Sequence, residues 1–216
     1  MFDAKLRGIK DFLLKPLVGL LARYSLTPMQ LTGAGFLFGI FAAAAAGMQW
    51  WTVALVLWLV NRIFDGLDGA LAREMDLSSD LGGYLDLLAD FIIYALLPLG
   101  IASGLAQSAD AFPQLLFQSW IWPAAAFLLA ACYVNSASWM YLSALMEKKW
   151  ERRDDGRGTD PKTSIIMPKG IIEGSETILF YSLTLLLPGY ATPLFILFAF
   201  LVSLTALLRI FWWVRL

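Results

Sequence analysis

Histidine is absent from the 216 residues, and cysteine occurs once, as Cys132. The first absence removes the side chain most used for proton transfer near neutral pH, so any general base must come from the acids, lysines or tyrosines. The second rules out a disulfide within the chain, and the apolar surroundings of Cys132 point to inert packing rather than a reactive thiol. An excess of positive charge is also missing: 16 basic residues face 17 acidic ones, for a net charge of −1. A balanced chain has no electrostatic footprint for nucleic acid, and none is expected as a partner. Long polar stretches are scarce as well. With 59% hydrophobic residues and nine tryptophans, the composition belongs to integral membrane proteins.

From Thr27 to Val60 there is no charged residue at all. That run is too long for one span of roughly twenty residues, so it must turn, and GMQWW at Gly47 to Trp51 offers a glycine and two interface-seeking tryptophans for the turn. The reading along the chain is an all-α integral membrane protein. Six transmembrane helices are expected near 28–47, 50–73, 83–106, 119–146, 170–187 and 191–213, with a loop from Ala109 to Gln118 and PGY turning between the last two. Residues 1–24 read as an N-terminal amphipathic interfacial helix, with Phe2, Leu6, Ile9, Leu13, Leu17 and Leu20 on one face and lysines toward lipid headgroups. Scattered charges there do not fit a cleaved signal peptide. Residues 25–216 form the six-span domain.

Under this topology the 16 Lys and Arg all fall on, or close to, one side of the membrane. The opposite loops GMQWW, AQSADAFPQ and PGY carry none, which places both termini in the cytoplasm.

Against this apolar background the segment from Asp65 to Asp90 holds seven carboxylates. Asp65 and Asp68 stand near the cytoplasmic end of the second span, and Asp86 and Asp90 near the start of the third. Spacings of three and four residues put each pair on one helix face. Clustered acids in a membrane helix are costly and call for a counter-charge. Hard divalent metal is the natural one, since Mg²⁺ prefers oxygen ligands and is commonly held by carboxylates together with substrate phosphates. Four acids can hold two ions and still leave a carboxylate for proton transfer. Gly66, Gly69, Gly82 and Gly83 nearby fit either the close approach of a ligand or tight helix packing. Arg73 could neutralise the acids or grip a phosphate.

Asp65, Asp68-Gly69, Ala72-Arg73, Gly82, Asp86 and Asp90 together reproduce D-x2-D-G-x2-A-R-x8-G-x3-D-x3-D at every fixed position. In this the chain resembles the CDP-alcohol phosphatidyltransferases. LTPMQLTGAG, from Leu26 to Gly35, is similar to the segment entering that family's first span, with Met29 where Asn is usual. NRIFDGLDGALAR and IIEGSETILF resemble a bacterial inner-membrane branch, which implies the cell inner membrane as the location. The resemblance implies that Asp65, Asp68 and Asp86 bind the metals gripping a donor diphosphate, with Asp90 sharing the metal site in some members. It makes Asp90 the base that deprotonates the acceptor hydroxyl. Gly69, Arg73 and Gly82 correspond to positions contacting the CDP moiety, together with Asp65 and Asp68, and Ala72 keeps room for it. The cofactor so implied is Mg²⁺ or Mn²⁺, in two ions. The reaction transfers a phosphatidyl group from CDP-diacylglycerol to the hydroxyl of a polar alcohol, releasing CMP, and family members are commonly homodimers.

A CDP-choline or CDP-ethanolamine phosphotransferase acting on diacylglycerol is the alternative enzyme, and a cation transporter using the carboxylates the alternative class. Asn135, Ser136, Ser138 and Ser143, with Tyr133 and Tyr141, form a polar stripe fit for an acceptor cavity or for interhelical hydrogen bonds. Glu173 and Glu176 suit a helix start, or acceptor recognition. Lys162, Lys169 and Arg209 suit snorkelling anchors, or an acceptor phosphate. Because the fourth span has no Lys or Arg among its membrane-embedded positions, an uncharged or zwitterionic alcohol is favoured over a phosphorylated one.

Overall fold

A computed structural model describes residues 16–24, 26–107, 118–151, 170 and 172–214. Among them all regular structure is helical. Helix α1 covers 16–23, and α2 (Pro28–Gly47), α3 (Trp51–Glu74), α4 (Asp80–Ala106), α5 (Ile121–Glu151), α6 (Gly174–Leu186) and α7 (Ala191–Val214) follow. The apolar face expected over residues 1–15 and the loop 109–117 lie outside the described residues.

Local chemistry fixes the boundaries. A reciprocal cap starts α2: the Thr27 amide donates to Gln30 Oε1 at 3.0 Å and the Gln30 amide to Thr27 Oγ1 at 3.3 Å, with Pro28 at the first helical position. After Gly47 the chain reverses through Gln49 at φ 65°, so the turn falls within GMQWW. Ser79 caps α4 by accepting from the Gly82 amide at 3.1 Å, which begins this helix three residues earlier than its apolar run does. Between α6 and α7, Pro188–Tyr190 form a single 3-10 turn.

Among the described residues four segments are long and apolar enough to cross a membrane: Pro28–Gly47, Asp80–Ala106, Ile121–Lys148 and Pro188–Trp213. Helix α3 falls outside that set because its second half carries Arg62, Asp65, Asp68, Arg73 and Glu74. Helix α6 falls outside because its 13 residues reach about 20 Å, against roughly 30 Å of hydrocarbon. Phe41 is 56% exposed, Val56 54% and Phe200 61%, and apolar side chains on the outside of a bundle suit lipid as solvent.

Helix α2 packs along α3 and α4, α5 packs along α7, and α6 leans on α3. Aromatic side chains join these groups. Trp58 Nε1 donates to Ser182 Oγ at 3.1 Å, and the Phe180 and Phe198 rings stack 4.1 Å apart. Pro98 lies inside α4 and cannot donate to the Tyr94 carbonyl one turn earlier. The buried Tyr181 hydroxyl supplies that missing donor from α6 at 3.0 Å, so the helix continues past its proline.

Candidate functional site

The antiparallel run of α2, α3 and α4 brings the start of α2, the last turns of α3 and the first turns of α4 to one end of the bundle. There a cleft is lined by Thr32, Gly35 and Phe36 of α2, by Asn61, Arg62, Asp65 and Asp68 of α3, and by Asp86, Ala89, Asp90 and Ile93 of α4. The four aspartates singled out by spacing therefore share one cavity, although the segment from the first to the last spans 26 residues.

Among the described residues, however, no three acidic, thiol or imidazole groups stand close enough to hold a metal as they are. Protein groups hold some of them to the walls. Asp68 is 4% exposed and its Oδ2 accepts from the Thr32 hydroxyl at 2.6 Å. Asp90 Oδ1 accepts from Arg62 Nη2 at 2.7 Å, and Arg62 Nη1 lies 3.9 Å from Asp65 Oδ2. The donor set still fits a hard divalent ion, because the acids facing the cleft offer only oxygen.

Arg62 is what the sequence reading missed. It entered there only as one positive charge near the cytoplasmic side, yet it is 6% exposed and lines the cleft. Its Nε donates to Asn61 Oδ1 at 2.7 Å and Nη1 to the Tyr94 hydroxyl at 2.9 Å. The guanidinium also faces the Trp58 and Tyr94 rings, 4.8 and 5.2 Å from their centroids. The signal was present: an arginine three residues before Asp65, within an apolar helix, shares the face of the acids.

The remaining motif positions lie outside the cleft lining. Gly69, Ala72 and the exposed Arg73 occupy the closing turns of α3, and Gly82 the opening turn of α4. Helix packing does not explain Gly69 or Gly83. A β-carbon on Gly83 would meet no described atom within 4 Å, and one on Gly69 only Arg73 Nη1 at 3.4 Å.

The residues set aside for the acceptor divide. Tyr133 and Tyr141 are 76% and 69% exposed, so they do not continue a buried stripe with Ser143, which is 3% exposed. Glu176 caps α6, its Oε2 accepting from the Glu173 amide at 3.1 Å. Arg209 does not snorkel. It is 7% exposed and donates through Nη1 to Asn135 Oδ1 at 2.7 Å. With a guanidinium from α7 set against α5, the preference for an uncharged acceptor loses its basis: counting charges on one helix overlooked its neighbour. Lys162 and Lys169 lie outside the described residues.

Comparison with known proteins agrees with this architecture. The family model described as CDP-alcohol phosphatidyltransferase matches residues 25–204. The inner membrane protein YnjF of Escherichia coli is 35% identical over 211 residues, covering 97% of this chain and 94% of that protein. An archaetidylinositol phosphate synthase of Pyrococcus horikoshii is 39% identical over 84 residues, 39% of this chain and 45% of that one. Two crystal structures of phosphatidylinositol phosphate synthase from Mycobacterium tuberculosis share the fold. The one with CDP-DAG bound has a TM-score of 0.63 at 23% identity and covers 90% of both chains. The one in complex with manganese and citrate has a TM-score of 0.64 at 22% identity, covering 90% of this chain and 86% of that one.

Proposed function

The chain belongs to the CDP-alcohol phosphatidyltransferase family, whose reaction moves a phosphatidyl group from a CDP-linked lipid to an alcohol, and we propose a division of that work among its own residues. Asp65, Asp68 and Asp86 hold divalent metal, Mg²⁺ or Mn²⁺ in two ions, with Asp90 beside them. When bound, the metal neutralises charge on the donor diphosphate. Gly69, Ala72, Arg73 and Gly82 form the approach for the cytidine nucleotide, where the missing β-carbon of Gly69 leaves backbone accessible. Asp90 accepts the proton of the acceptor hydroxyl while the hydroxyl oxygen attacks the β-phosphorus in line. The bond from that phosphorus to the bridging oxygen breaks, and CMP carries the electron pair away.

One observation carries this reading: all four motif aspartates line a single cleft at one end of α2, α3 and α4. The manganese in the crystal structure of the mycobacterial synthase supports the choice of metal, and CDP-DAG in its companion supports the donor. In the membrane we place six crossings, with both termini and the cleft on the cytoplasmic side of an inner membrane. A lipid donor then enters from the bilayer while CMP leaves into water. A homodimer is the proposed assembly.

Purified protein with labelled CDP-diacylglycerol, Mg²⁺ and a panel of alcohols should release CMP in an acceptor-dependent way. Release only from CDP-choline or CDP-ethanolamine with diacylglycerol would reverse donor and acceptor. Silence with every pair, together with cation flux in liposomes, would favour a transporter.

A further inference from the structure

Arg62 has more bonding than charge balance requires. A guanidinium near acids needs only proximity, and at an exposed site such pairs contribute little. Here the group is buried and held on every side. Asn61 takes its Nε, Tyr94 its Nη1 and Asp90 its Nη2, while Trp58 and Tyr94 face it with their rings. Asn61 is itself fixed, donating from Nδ2 to the Gly35 carbonyl of α2 at 2.8 Å. A continuous chain of hydrogen bonds thus runs from the α2 backbone through two neighbours on α3 to a carboxylate of α4.

The two acids nearest Arg62 are treated unequally. Asp90 is bonded at 2.7 Å, whereas Asp65 stands at 3.9 Å in a loose ion pair. A metal ion recruiting Asp90 Oδ1 would compete with a short charge-assisted bond in a buried setting, whereas at Asp65 its competitor from Arg62 is the looser 3.9 Å pair.

We propose that Arg62 is a positioning residue that ties Asp90 to the wall of the cleft, keeps it out of the metal ligand set and so reserves it for the acceptor proton. This rests on the transferase reading for the task given to Asp90, and adds to it the group that separates base from ligands.

The test is a double-substitution cycle on the full-length protein in detergent, read by paramagnetic resonance of free Mn²⁺. With Arg62 in place, Asp90→Asn should weaken Mn²⁺ binding by no more than about threefold; in an Arg62→Gln background the same change should weaken it by about tenfold beyond that, because a released Asp90 has joined the ligands. Equal effects in both backgrounds would reduce Arg62 to a source of charge and overturn the proposal. Should Arg62→Gln fail to fold, Arg62→Lys takes its place in the cycle, keeping the charge without the planar fork. Arg62→Lys should also lower kcat for CMP release about tenfold while KM for CDP-diacylglycerol stays within about threefold. An unchanged kcat would overturn the proposal too. Failure of the unsubstituted protein to release CMP from any donor would remove the transferase reading, and the Mn²⁺ cycle would still decide whether Arg62 withholds Asp90 from metal.

Discussion

Near the Gly47 end of α2, β-carbons on Gly100 and Gly104 of α4 would run into the carbonyl oxygens of Ala43 and Ala46. At the other end of the same helices, one on Gly83 would meet no described atom within 4 Å. The first region is closed backbone to backbone, with Ala42, Ala43, Ala46, Leu97 and Ile101 filling it. The second is spanned by polar side chains, Thr32 to Asp68, Asn61 to Gly35 and Arg62 to Asp90. The same residue type serves contact in one region and access in the other. A packed half that fixes the helices leaves the other half free to carry polar side chains.

The largest effect should come from the open half. Asp90→Asn removes the proposed base, and CMP release should fall by about 10²- to 10⁴-fold, with CDP-lipid binding retained in equilibrium assays. Retained turnover would take Asp90 out of that role. The closed half should answer in stability instead. Gly100→Val forces a branched side chain into the Ala43 carbonyl, and a loss of about 3 kcal/mol, seen as a lowered thermal midpoint in detergent, is expected. If Gly100→Val left the midpoint unchanged, the two regions would not differ as described. Thr32→Val keeps shape but removes the donor to Asp68. A cost of about 1.5–3 kcal/mol is expected, since hydrogen bonds to charged groups exceed neutral ones.

These two halves were unequally legible in the sequence. Helix positions followed from apolar runs and turn signals, and α2 begins and ends where the run and the GMQWW turn place it. The aspartates were legible because their spacing is local to two adjacent helices, a distance over which helical periodicity still speaks. What escaped depends on contacts between distant segments. Asn61 bonds Gly35, Arg209 bonds Asn135, and Tyr181 completes a carbonyl that Pro98 leaves open. Periodicity on one helix carries no information about which residue of another meets it. Arg62 shows the limit: its charge was counted, but its burial among Trp58, Tyr94 and Asp90 depends on three helices coming together.

The smallest change separates ligand approach from helix propensity. Gly69 and Gly83 both lie in helices, where alanine is favoured over glycine by about 1 kcal/mol, and neither β-carbon would collide with backbone. Gly69→Ala and Gly83→Ala should therefore both raise the thermal midpoint slightly. If close access by the nucleotide is what keeps Gly69 free of a side chain, only Gly69→Ala should raise KM for the CDP-linked donor, while Gly83→Ala leaves turnover and KM near their original values. Equal kinetics for the two variants would mean that the motif glycine does not face the donor, and the open half would owe its shape to α3 and α4 alone.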